Sequence, residues 1–242
     1  MSGFHPVHAA PADLLQMSAA DQPVTTQLRT VESSLYRRAV TFSLGPEWER
    51  GLWGSPYRLR FELNEGGAYV TMFTSSYDRA RCLARAALPT DCLVGVIAAH
   101  PDPSREMGSE RYGWTNRSGF DHLEELGVPT EPALATWSGY CWPGDKEDDE
   151  AEPWLHCAVN LTWDQADILL WNQVAQEVGV APRAPIKSKL VDLTRGVSVD
   201  AYDDRGMDIT SVTKEPIAGL YKRFDKWLLD HDRTRMAEVF AG

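Results

Sequence analysis

Tyr202-Asp203-Asp204-Arg205-Gly206-Met207-Asp208 is the stretch that decides the fold, together with the amphipathic run from Ile217 to Phe240 that follows it. Val197, Val199 and Ala201 recur at every second position before it, and Met207 and Ile209 do so after it. A period of two predicts strands. Between them, Asp203 can accept a hydrogen bond from the backbone two residues on. Asp204 and Arg205 suit the centre of a type I turn, and Gly206 can take a positive φ to form a bulge. The heptapeptide therefore reads as the tip of a β-hairpin, with the Arg205 guanidinium bridging Asp203 or Asp208. A chemical reading of the same residues sets Asp200, Asp203, Asp204 and Asp208 around a divalent cation. The spacing of a Ca²⁺ loop is missing, so no metal and no other cofactor is assigned.

After the hairpin, Thr213 is suited to cap a helix and Pro216 falls in its first turn, where its missing N–H does no harm. Ile217, Leu220, Tyr221, Phe224, Trp227 and Leu228 share one helical face, while Lys222, Arg223, Asp225 and Lys226 take the other. His231 continues the apolar stripe as a packed imidazole. Asp230 and Asp232 end this helix and cap a second one from Thr234 to Phe240.

Upstream, residues 1–23 are rich in Ala, Pro and His and read as a loosely held arm, leaving 24–242 as a single domain. Leu59 to Leu63 alternates as a strand. The turn Glu65-Gly66-Gly67 leads to a second strand, Tyr69 to Phe73, and Ser75 or Ser76 caps a helix ending at Leu88. Cys92 to Ala99 is a short, continuously apolar run, the mark of an interior strand. Residues 101–153 lack periodicity and read as an insertion over the core, with one short helix at Phe120 to Leu126. Beyond it lie a strand at His156 to Leu161, a helix from Asp164 to Glu177 capped by Thr162 and stopped by Gly179, and a strand from Ser188 to Leu193. The fold class is α+β: one mixed β-sheet with packed helices, a C-terminal hairpin and an amphipathic helix after it.

The chain has 242 residues, 43% of them hydrophobic, with nine Trp and a net charge of −11. That balance excludes a duplex nucleic-acid binder, which needs clustered Lys and Arg, and predicts a basic protein as partner. Asp145, Glu147, Asp148, Asp149, Glu150 and Glu152 crowd six carboxylates into eight residues, a solvated acidic loop or a docking element for that partner. No stretch has the roughly 20 apolar residues of a membrane span, and the first residues lack the form of a signal peptide. The expected location is the cytoplasm. Cys82, Cys92, Cys141 and Cys157 show no zinc or redox spacing and read as buried free thiols.

Two classes of function follow. The first is an acidic binding protein, of the kind that neutralises a basic toxin enzyme, because acidic surfaces steer and hold cationic partners. The second is a hydrolytic or nucleotide-processing enzyme drawing on Glu62, His100, Asp102, Asp203, Asp204 or His231. His100 and Asp102 lie just past an interior strand, where α/β proteins place sites. No nucleophile motif or phosphate loop accompanies them.

Arg58-Leu59-Arg60-Phe61-Glu62-Leu63, the helix around Arg79 to Ala86, Asn160-Leu161-Thr162, Tyr202 to Asp208 and Leu220 to Phe240 together resemble a bacterial domain-of-unknown-function family. Its marks are an R-F-E-L strand and a Y-D-D-R-G-x-D hairpin followed by L-Y-x-x-[FY]-x-x-W-[LI]-L-D-x-D-R. Asn64 stands where that family usually has glycine, and residues 101–153 exceed its usual connection. The resemblance implies a fold and transfers no catalytic role. Asp203, Asp204, Arg205, Gly206 and Asp208 are matched motif positions.

Overall fold

A computed structural model describes residues 55–100, 119–140 and 152–241. Its centre is a seven-stranded sheet: β1 Arg58–Glu62, β2 Leu93–Ala99, β3 Ala135–Gly139, β4 Trp154–Leu161, β5 Ile186–Asp192, β6 Val197–Ala201 and β7 Gly206–Ser211, in the order β1-β7-β6-β5-β2-β4-β3. The helices are α1 Tyr69–Ala87, α2 Gly119–Glu125, α3 Trp163–Val178, α4 Glu215–Arg223 and α5 Arg233–Phe240. This is the α+β domain read from the sequence, with the hairpin β6–β7 where the alternation placed it.

Every pairing in the sheet is antiparallel, where the succession of strand, helix and strand predicted a mixed sheet. Both crossovers are present, but other strands fill the gaps. β7, β6 and β5 separate β1 from β2, and β2 separates β4 from β5, so strands of like direction never touch. β3 is an edge strand drawn from the stretch read as an insertion.

The continuous apolar run of β2 reflects its place between β5 and β4, buried on both faces. One face carries the main core: Leu59, Phe61, Val199, Met207 and Ile209 lie under Phe73, Ala80 and Leu83 of α1, Leu169 and Val174 of α3, and Ile217 and Leu220 of α4. On the opposite face Val94, Val96, Ala98, Ala158 and Val191 gather around Trp137. Gly95 is small for a reason, since a Cβ there would meet Leu161 Cδ1 at 2.6 Å.

Tyr69 to Phe73 is the first turn of α1, not a strand. Tyr69 and Val70 are exposed, while Phe73, Ser76, Ala80, Leu83, Ala84 and Ala87 are buried at helical spacing, so tertiary packing overrides the β-propensity of Tyr69, Val70 and Thr71. Ser75 and Ser76 do not cap. Their hydroxyls each donate to Met72 O at 2.9 Å inside the helix. The cap expected of Thr162 is present and is a capping box with Gln165, and Gly179 closes α3 at φ 64°.

The C-terminal run is broken where one helix was expected. α4 begins after Lys214, one residue beyond the expected cap Thr213, and stops at Arg223. Short 3₁₀ turns at Asp225–Trp227 and Asp230–Asp232 flank an extended Leu228. Leu228 makes a β-bridge to Phe61, and Leu229 N donates to Arg60 O at 2.9 Å. The outer edge of β1 is thereby covered, which protects an edge strand and explains the break. His231 consequently faces solvent rather than packing. Cys157 is buried, but Cys82 and Cys92 are exposed, contrary to expectation; all three are free thiols. Among the described residues no helix is long and apolar enough to cross a membrane.

Candidate functional site

Strand alternation sends every second side chain to the face opposite the helices, and in β1, β7, β6 and β5 these include Arg58, Arg60, Asp208, Thr210, Ser198, Asp200, Lys187 and Lys189, with Val191 the apolar member. Arg60 pairs with Asp208, and Asp208 with Asp200, while Lys189 stands next to Asp200 on β5. A row runs across four strands as cation, carboxylate, carboxylate, cation. Arg60 Nε donates to Asp208 Oδ1 at 3.0 Å and its Nη1 to Asp232 Oδ2 at 3.0 Å. Arg58 Nη1 lies 3.8 Å from Asp208 Oδ2, and Lys189 Nζ 3.8 Å from Asp200 Oδ2.

Burial dominates the electrostatics of this row. It lifts the Asp208 carboxyl to about 6 against the pull of Arg60 and Arg58, and the neighbouring Asp200 charge adds to the lift. Asp200 is also raised by burial, with Lys189 and Lys187 opposing, although 22% of its side chain remains open. Burial, with Asp208 adding, pushes the Tyr202 phenol up to about 12. For Arg60, burial opposes the charge, but Asp208 and Asp232 outweigh it and hold the guanidinium above its usual value.

At the hairpin tip the charges are consumed internally. Asp203 Oδ1 accepts from the N–H of Arg205 at 2.7 Å and of Gly206 at 3.0 Å, and its Oδ2 accepts from Arg205 Nε at 2.8 Å and from Arg205 Nη2. The bridge expected of Arg205 is thus made to Asp203, and Asp208 belongs to Arg60. Asp204 accepts from Asn64 Nδ2 at 2.9 Å, and burial followed by the neighbouring Asp203 raises its carboxyl. Asn64 at the usual glycine position therefore ties β1 to the turn. Gly206 has no positive φ, contrary to expectation. Its small size serves another purpose: a Cβ there would collide with the phenol end of Tyr202.

Among the described residues no three His, Cys, Asp or Glu side chains converge to hold a metal ion. Asp200 and Asp208 face each other on the sheet, whereas Asp203 and Asp204 sit at the turn with partners of their own. Glu62 and His231 are exposed at separate places. His100, just past β2, packs edge-on to Trp154 at 5.4 Å. Asp102 and, of the acidic run, Asp145, Glu147, Asp148, Asp149 and Glu150 lie outside the described residues; Glu152 is exposed just before β4. The site residues that sequence reasoning missed are Arg58, Arg60 and Lys189. Their signal was the polar half of each strand's alternation.

Residues 49–232 match the model of the family described as Domain of unknown function (DUF3885). The chain belongs to that family. The match takes in the charged row, the hairpin and the clasp through Asp232. No curated protein and no solved structure matches the chain.

Proposed function

We propose that the protein is an acidic binding protein of the cytoplasm, an immunity-type inhibitor that neutralises a basic toxin enzyme. The observation that carries this reading is the net charge of −11 combined with the internal use of the matched motif. Asp203, Asp204 and Asp232 are all tied to Arg205, Asn64 and Arg60, so the family's most recognisable residues build the clasp between hairpin, β1 and C-terminus. The acidic excess outside that clasp, Asp145 to Glu152 included, is what a cationic partner meets. Affinity capture from the native host at low and high salt tests it. A basic protein that is captured at low salt and released at high salt supports the reading; a salt-independent complex, or none, overturns it.

The hydrolytic alternative draws support from one observation, the facing carboxylates of Asp200 and Asp208 with Asp208 held at about 6, in the range useful to a general acid or base. A screen of ester, glycoside and nucleotide hydrolysis would have to yield an activity that Asp208→Asn removes.

A further inference from the structure

We draw no further inference here: the strongest candidate, the apolar patch on the sheet face opposite the helices, where Val94, Val96, Ala98, Ala158 and Val191 gather around Trp137, carries nothing because no contact among the described residues shows what covers it.

Discussion

The two faces of strands β1, β7 and β6 carry opposite chemistry within a single backbone. Toward the helices, Leu59, Phe61, Met207, Ile209, Val197 and Val199 are almost fully buried and pack as one core. Away from them, Arg58, Arg60, Asp208, Thr210, Ser198 and Asp200 are also largely withdrawn from water, yet they bury charge and hydroxyl instead of hydrocarbon. The first face stabilises the fold through apolar area and dispersion. The second gains little, because desolvation offsets most of the attraction between its charges. Such a face stabilises the sheet less than its burial alone would suggest.

The sharpest way to break the comparison is to damage the apolar face. Phe61 is fully buried and meets Phe224 edge-to-face at 6.4 Å. Phe61→Ala is expected to lower unfolding free energy by about 3–5 kcal/mol in urea titrations. A loss below about 1 kcal/mol would mean that the two faces do not differ as described. Next in size is the turn that joins the strands. Asp203→Ala removes an acceptor for two backbone amides and the Arg205 guanidinium, and a loss of about 2 kcal/mol is expected, with faster amide exchange at Arg205 and Gly206.

The charged face is tested by pH. Asp208 has a folded-state value of about 6 against an ordinary 3.8, so its stabilising contribution is complete below about 3.8 and is lost as pH rises through 6. Between pH 4 and 7 the stability of wild type relative to Asp208→Asn is expected to fall by on the order of 2 kcal/mol. A rising or flat difference would show that Arg60 and Arg58 outweigh burial. The smallest effect belongs to the surface. Arg233 reaches Asp225 at 2.7 Å and Asp230 at 3.0 Å, but these partners are well exposed, and Arg233→Ala is expected to cost less than about 1 kcal/mol, diminishing in salt.

Sequence made much of the fold legible because short-range signals agreed with tertiary ones. The alternation around Tyr202 to Asp208, the cap at Thr162, and the stop at Gly179 each needed only neighbours along the chain. Tyr69 to Phe73 misled because β-branched and aromatic residues there face water on a helix whose buried stripe begins at Phe73. The run from Ile217 to Phe240 misled for the opposite reason: its apolar spacing fits a helix, but the open edge of β1 claims Leu228 and Leu229. Half of the site was visible as aspartates. The rest, Arg60 and Lys189, is separated from them by more than a hundred residues or by a strand, and polar residues in alternating strands look alike whether they face solvent or one another.

By itself, then, the sequence determined the α+β class, the hairpin, the main helices and the acidic balance, because these depend on period, capping and count. Only the tertiary structure decided that every strand pairing is antiparallel, that Gly206 serves the ring of Tyr202 rather than a backbone angle, and that Arg60, Asp208, Asp200 and Lys189 form one row. Those outcomes depend on which strands lie side by side, and strand order is set by long-range burial that no local pattern records.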